Sequence, residues 1–547
     1  MKKGSELFVE CLENERVEYI FGLPGEEILP LLNALSSSKK IKFILTRHEQ
    51  AAAFMADIYG RLTGKAGVCL ATLGPGATNL VTGVADANLD RSPVVAITGQ
   101  GSLEKTHKES HQYIDIVSTF KFITKWNRTV TRADFIPEIV WKAFRLAKEE
   151  KKGATHIELP ENVCEEETSA RPLSGEHIHS TTVADKVAVS SAAQMISRAM
   201  SPLILAGNGV IRANASDELV EFAKATNIPV VNTFMGKGVI SANDDLSLGT
   251  IGLQSKDYVT CGFERADLVI SIGYDLVEYS PRFWNPKMDK KIIHIDSTHS
   301  ETDMHFLTTV DLIGDIKETL KLLASFSKFR SDSSYTTKLK RYITSDLDEH
   351  KDDNSYPLKP QKIVYDIRET LDENDILISD VGMHKIWISR LYPAYRPNTV
   401  LISNGLASMG IALPGAVAAK LVHPERKIVA ACGDGGFLMN LHELETAKRL
   451  GLAFIVLIFD DGRYSQVEWS QLNRYGKSFN VEFTNPDFVK LADSFGVNGI
   501  RIEKADDLQG VLKEASKSSS IWIIDVPVDT NENRFLSEKL GNTVCPV

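Results

Sequence analysis

The amino-acid sequence predicts an α/β protein built from three doubly wound parallel-sheet domains. Short β-branched apolar runs alternate with helical periodicity along almost the whole chain, and each run stops at Gly, Pro or Asp. Runs of that length without polar alternation suit strands buried on both faces, as parallel sheets covered by helices require. At 547 residues the chain also exceeds what one hydrophobic core can organise, so several domains are expected.

In chain order, "KFILT", "GVCLATLG", "SPVVAITG" and "ATHIELP" read as strands of the first domain. "SPLILAG", "IPVVNTF", "ADLVISIG" and "KIIHID" belong to the second, and "DILISD", "KIVAACGDG" and "AFIVLIFDD" to the third. Polar, irregular stretches at 165–186 and 327–360 interrupt the pattern, the second expected to contain a helix. They set domains at 1–165, 186–326 and 355–530. The first and last thirds share a layout: "VCLATLGPGATNLVTGVADANLDRSPVVAITG" and "IVAACGDGGFLMNLHELETAKRLGLAFIVLIFDDG" both read strand, glycine turn, helix, strand. Either two related folds clamp one ligand, or both follow the common grammar of α/β units.

Composition excludes more than it identifies. Hydrophobic content of 43% and charged content of 24% are ordinary for globular chains, which argues against disorder and fibres. A net charge of −10 with no basic block gives no pull toward nucleic acid. Six cysteines stand without a C-x-x-C pair, suggesting neither a zinc site nor a disulfide framework and fitting a reducing cytoplasm. "MKKGSELFVECLENERV" reads as an amphipathic helix rather than a signal peptide. No apolar run nears the roughly 20 residues that span a bilayer, so no membrane partner is expected.

The chemistry concentrates in "GDGGFLMNLHELETAKRLGLAFIVLIFDDGRYS". "KIVAAC" runs into "GDGG", a helix is expected from about Phe437 to Leu450, and the strand "AFIVLIF" ends in "DDGRYS". Gly433, Gly435 and Gly436 at a strand-to-helix turn let the backbone approach a ligand, and the helix start offers unpaired N–H groups to an anion. Both loops leave carboxyl ends of parallel strands, where open α/β sheets bind ligands. Asp434 and Asp460 can therefore converge although 26 positions apart. Acidic residues repel a bare diphosphate, so a cation between them is implied. Magnesium, wanting about six oxygens, would take Asp434, Asp460, the Gly462 carbonyl, diphosphate oxygens and water. The rival reading is that Asp434 caps the helix and "DDG" turns the chain.

With both loops placed, the stretch resembles the thiamine-diphosphate signature of pyruvate decarboxylases, acetolactate synthases and related enzymes, in which GDG is followed one helix and one strand later by Asn. The resemblance runs through "RHEQAAAFMADIYGRLTGKAG", "GPGATN", "HQYIDIVSTFKFITK", "IGYDLVEYSPRFWN", "DVGMHKIW", "GLASMGIALPGAVAA" and "IIDVPVD" in matching order. It is strongest to the acetolactate synthase family, in its FAD-independent catabolic type, because "GYDLVEYSPRFW" stands where FAD enzymes usually carry an R-F-D-D-R segment. It implies thiamine diphosphate and Mg²⁺, no FAD, and decarboxylating condensation of two pyruvates to 2-acetolactate. It also implies a homodimer or homotetramer whose sites lie between chains.

By the same resemblance, Glu49 of "RHEQ" matches the glutamate that hydrogen-bonds N1' of the aminopyrimidine and favours its reactive tautomer; otherwise it would cap a helix or pair with Arg47 or His48. His111 and Gln112 match residues that could orient the substrate carboxylate or steady a developing alkoxide; alone they read as surface groups. Met409 matches the apolar wedge beneath the cofactor, against ordinary core packing, and His384 is expected to face the diphosphate, against a structural role. The chain departs from the family pattern at three points. Asp460 replaces the usual Asn, adding charge beside the diphosphate. Glu27 stands where catabolic enzymes tend to carry Lys, which bears on the acceptor, and Met383 replaces Gln or Ser. Other readings are a different thiamine-diphosphate decarboxylase or carboligase, or a non-catalytic nucleotide-binding protein. The middle domain lacks G-x-G-x-x-G, so its glycine turn after "SPLILAG" reads as packing rather than a dinucleotide pocket.

Overall fold

The computed structural model describes residues 1–173, 182–253, 256–326 and 331–545. Within the two interruptions read from sequence, 174–181 and 327–330 lie outside the described residues, and the helix expected in the second is Ser334–Asp348.

Three six-stranded sheets form the chain, and every pairing within them is parallel. Numbered along the chain within each sheet, the strands of the first run 2-1-3-4-6-5 in space, and those of the third run 2-1-3-4-6-5 as well. The shared layout read from sequence is thus a shared strand order. The middle sheet runs 3-2-1-4-5-6, the order of dinucleotide-binding folds. Each sheet reverses direction beside its first strand, and that reversal opens a crevice at the carboxyl edge.

The apolar runs are buried as parallel strands must be. Val94–Gln100 and Ala154–Pro160 are buried at every position. In the middle sheet, Leu203, Leu205, Val269 and Ile292 pack into one core, while Ile204, Ala206, Ile270 and Ile293 pack into another on the opposite face. Successive residues thus feed opposite helix layers. Packing divides the described chain into two units. The first holds the N-terminal sheet with Gly405–Glu425 and Met439–Leu452; the second holds the middle and C-terminal sheets. Within the first, the helix Ala412–Val422 lies against Glu49–Thr63.

Two expectations are corrected. The single helix expected over Phe437 to Leu450 is two, Asp434–Asn440 and Glu443–Arg449, because the chain turns at Leu441–His442 to point the buried Glu443 carboxylate at the backbone of Arg47 and His48. Cys261 and Cys545, 284 positions apart, form a disulfide, while the other four cysteines are free and buried. Spacing alone could not expose a pair that only tertiary structure brings together. Among the described residues no helix is long and apolar enough to cross a membrane.

Candidate functional site

At the C-terminal sheet the reversal lies between Ile376–Ser379 and Ile428–Gly433. The first strand leads through Asp380 and Gly382 into the helix Met383–Leu391, whose first turn carries His384. The second leads directly into Asp434, and the neighbouring strand Ile455–Asp460 ends at the second acidic loop.

These loops meet. Asp434 Oδ1 accepts the Gly435 N–H at 2.7 Å, and Oδ2 accepts those of Gly462 at 2.7 Å and Asp461 at 3.2 Å. Asn485 Nδ2 donates to Asp434 Oδ2 and to Asp460 Oδ1, both at 2.7 Å. Two carboxylates therefore converge on one nitrogen. Burial pushes the Asp434 carboxyl upward in pKa, while the Asn485 amide and the three N–H groups pull it down. The Asp461 carboxyl is raised to about 7 by burial and by the charge of Asp434. Asp460 Oδ2 pairs with Arg501 Nη1 at 2.7 Å, and the same guanidinium reaches Asp525. That ion pair offsets the extra charge that Asp460 brings in place of Asn.

The donor set fits a hard cation. Among the described residues no group of three or more His, Cys, Asp or Glu side chains is placed to hold a metal ion by itself, so an ion here would complete its shell with backbone, amide, cofactor or water oxygens. Gly462, at φ +65°, turns the chain, and its carbonyl accepts the Phe483 N–H at 2.9 Å, leaving a second lone pair. Asn485 Oδ1 is buried without a partner, and rotating that amide would turn an oxygen toward the carboxylates' meeting point.

His384 is buried and stacks on Phe459 at 5.4 Å. Burial drives its pKa down to about 3, and Nε2 has no hydrogen-bond partner. A Cβ at Gly433 would lie 3.1 Å from the His384 ring, one at Gly435 2.9 Å from Tyr464, and one at Gly436 2.9 Å from Asp380 Oδ2. These glycines thus answer to the chain's own side chains as well as to any ligand.

In the other unit, Glu49 opens the helix Glu49–Thr63 and is 6% exposed. Its Oε2 accepts from Asn79 Nδ2 at 3.0 Å, and Oε1 sits 3.3 Å from where a Gly76 Cβ would be. Its hydrogen-bond partner is therefore the "GPGATN" turn, not Arg47 or His48. Those two residues donate their backbone N–H groups to Glu443 Oε1, at 2.9 and 3.1 Å. Glu27 Oε2 accepts from Thr72 Oγ1 at 2.9 Å, at the reversal of the N-terminal sheet. His111 and Gln112 are exposed; Gln112 has φ +56°, and its carbonyl packs over Gly74. Met409 is half-buried between Ala407 (φ +57°) and Gly410 (φ +89°), and Met383 is buried.

The structure thus gathers Gly433, Asp434, Gly435, Gly436, Asp460, Gly462 and His384 in one unit, and Glu49, His111, Gln112 and Met409 in the other. Sequence reasoning missed Asn485, Arg501 and Glu443. Asn485 lies 51 positions beyond Asp434 in "FTNPDF", a spacing that no local rule flags.

The middle sheet carries its own glycine turn at the reversal between Pro202–Ala206 and Leu268–Ile272. There the buried Glu278, from the loop after the second strand, accepts the Asn208 N–H with both oxygens at 3.1 Å. Thr233 Oγ1 also donates to it. Burial raises the Glu278 carboxyl to about 7. A Cβ on Gly207 would stand 2.8 Å from Glu278 Oε1.

Three family models match the chain. They are described as the thiamine pyrophosphate enzyme N-terminal TPP binding domain (residues 2–119), central domain (189–323) and C-terminal TPP binding domain (380–526). The chain is 37% identical over 544 residues to an acetolactate synthase of Bacillus subtilis (strain 168), covering 98% of this chain and 95% of that protein. It is 36% identical over 567 residues to a probable acetolactate synthase large subunit of Methanocaldococcus jannaschii, covering 100% and 95%. A catabolic acetolactate synthase of Raoultella terrigena is 34% identical over 543 residues, covering 98% and 97%.

Proposed function

Because this chain belongs to the acetolactate synthase family of thiamine-diphosphate-dependent enzymes, we propose that it joins two pyruvate molecules into 2-acetolactate and releases carbon dioxide. Its cofactor is thiamine diphosphate with Mg²⁺. The observation that carries the reading is the meeting of Asp434 and Asp460 on one atom position at the carboxyl edge of the C-terminal sheet.

When bound, the cofactor supplies the electron sink that decarboxylation of a 2-oxo acid requires. In this reading Asp434, Asp460 and the Gly462 carbonyl would hold the ion. Gly433, Gly435 and Gly436 would keep the backbone open to the diphosphate, and the buried His384, whose Nε2 has no hydrogen-bond partner, would offer it a polar contact. Glu49, buried and oriented by Asn79, would share a proton with the aminopyrimidine, a task that low dielectric strengthens. Met409 supplies an apolar support, and His111 and Gln112 hold the substrate carboxylate at the mouth. The functional chain is a homodimer or homotetramer with sites shared between copies. Supporting this are the exposed apolar side chains Val467, Leu472, Tyr475 and Phe479, which follow the acidic loop. Dilution to monomers then abolishes turnover. A cytoplasmic location is part of this reading, against which the Cys261–Cys545 disulfide weighs, and cell fractionation checks it.

The deciding experiment feeds ¹³C-pyruvate to the purified protein with thiamine diphosphate and Mg²⁺, with and without FAD, and identifies the product by NMR. Acetolactate formed equally in both is the expected result; acetaldehyde alone replaces the synthase reading with a decarboxylase. A second reading, condensation with a neutral aldehyde acceptor, draws support from Glu27, whose carboxylate opposes the approach of a second anion. Competition between pyruvate and acetaldehyde as acceptors separates the two.

A further inference from the structure

Away from these loops, a cavity of about 260 Å³ opens within the second unit. One wall comes from the strand Ser247–Ile251 and the helix Ser334–Asp348, and another from the carboxyl end of the helix Met383–Leu391. Its lining combines the aliphatic side chains of Leu248, Ile343 and Leu391 with three cationic ones, Lys237, Lys340 and Arg390.

Lys237 is the unusual member. It is 6% exposed, and its Nζ donates to Thr250 Oγ1 at 3.2 Å and to the Ser389 carbonyl at 2.9 Å. Both partners are neutral, and among the described residues no carboxylate reaches it. Lys340 Nζ likewise donates to a carbonyl, that of Asp244, at 2.8 Å. Arg390, which also lines the space, is already matched by Asp257 and Asp346. An ammonium taken from water without a counter-charge costs several kcal/mol, and burial accordingly lowers Lys237 to about 7. The cavity thus offers a buried cation lacking its anion, in a space too small for a drug-sized ligand (about 300 Å³ or more) and walled on one side by Leu248, Ile343 and Leu391.

We propose that this cavity is a second ligand site, which binds a small carboxylate with a short aliphatic body, its carboxylate on Lys237 and its carbons against Leu248, Ile343 and Leu391. The ligand's charge completes the ion pair that the chain leaves open. The site touches Ser389–Leu391, the far end of the helix whose first turn carries His384, so occupancy bears on an element that reaches the carboxyl edge of the C-terminal sheet.

The test is isothermal titration of the full chain with 3-methylbutanoate, in parallel with inorganic phosphate. One site per chain is expected for the carboxylate, with binding at least tenfold weaker in Lys237→Met, whose folding is checked by circular dichroism. Equal binding of phosphate, unchanged binding by Lys237→Met, or no binding by the wild-type chain overturns the proposal. A second measurement uses the wild-type chain alone: cyanate carbamoylates amines, and mass spectrometry reads each lysine. 3-Methylbutanoate should shield Lys237 and leave the exposed Lys477 unaffected; equal labelling of Lys237 with and without it refutes the site. Neither readout involves turnover, so failure here is distinguishable from failure of the synthase reading.

Discussion

Replacing Glu443 by Ala should loosen the start of the Glu49 helix, and the expected size follows from three hydrogen bonds. The Glu443 carboxylate is fully buried and accepts the Arg47 and His48 N–H groups and the Thr446 hydroxyl, the last at 2.7 Å. Ala removes the acceptor and leaves two backbone donors unmet at a part-buried site. A stranded buried donor costs about 1–3 kcal/mol, and partial exposure keeps each of these two toward the lower end, so Glu443→Ala should destabilise by about 2–4 kcal/mol. Glu443→Gln keeps an acceptor oxygen and the shape, losing only the charge-assisted part of the bonds. Because burial already pushes the Glu443 carboxyl upward in pKa, part of that loss is returned, and about 1 kcal/mol is expected. Urea unfolding at neutral pH, monitored by tryptophan fluorescence, measures both. If Glu443→Ala matches wild type within about 0.5 kcal/mol, or Glu443→Gln is the worse of the two, the carboxylate does not anchor the Arg47–Glu49 segment.

Other outcomes follow from the same geometry. Asp434→Asn should weaken Mg²⁺-dependent retention of thiamine diphosphate by about 100-fold, the scale of about 2.7 kcal/mol expected for one lost ionic ligand, while the melting transition persists; equilibrium dialysis reads the retention. Glu49→Gln should keep the cofactor but cut pyruvate turnover by about 10²–10⁴, seen as a fall in kcat with little change in cofactor affinity. Asn485→Leu removes the group bridging Asp434 and Asp460, so without Mg²⁺ it should lower the Tm, and added Mg²⁺ should restore it. The Glu278 carboxyl titrates near 7 in the folded chain and near its ordinary 4.5 unfolded. The native state therefore holds an extra proton between those values, and stability falls as pH rises from about 5 to 7. Glu278→Gln should flatten that part of the pH-stability curve relative to wild type.

The sequence exposed what buried parallel strands and glycine turns leave on its surface. Every apolar run singled out became a strand, and Asp434 and Asp460 came together because both end adjacent strands of one sheet. The strands left unread are mostly edges: Trp126–Thr129 and Asn498–Arg501 contain no fully buried residue, so they lack the continuous apolar signature. Residues that organise the site from a distance were equally hidden. Asn485 and Arg501 reach Asp460 from segments 25 and 41 positions away. Glu443 reaches the Glu49 helix from 396 positions off. No periodicity encodes such pairings; only the strand order does. Lys237 was similarly invisible, because a lysine in "FMGKG" looks like a surface turn until its neighbours are known.

The carboxylate of Glu278 changes what the middle sheet can recognise. A nucleotide approaching the turn at Gly207 would meet not solvent but a buried carboxyl on a short leash, already seated on the Asn208 N–H and present at an effective concentration that free metabolites do not match. To enter, it must evict that tenant and leave Thr233 and Asn208 no worse bonded than before. The turn of this dinucleotide-type strand order is thus occupied by one of the chain's own side chains, so the room beside Gly207 is set by Glu278 as much as by glycine.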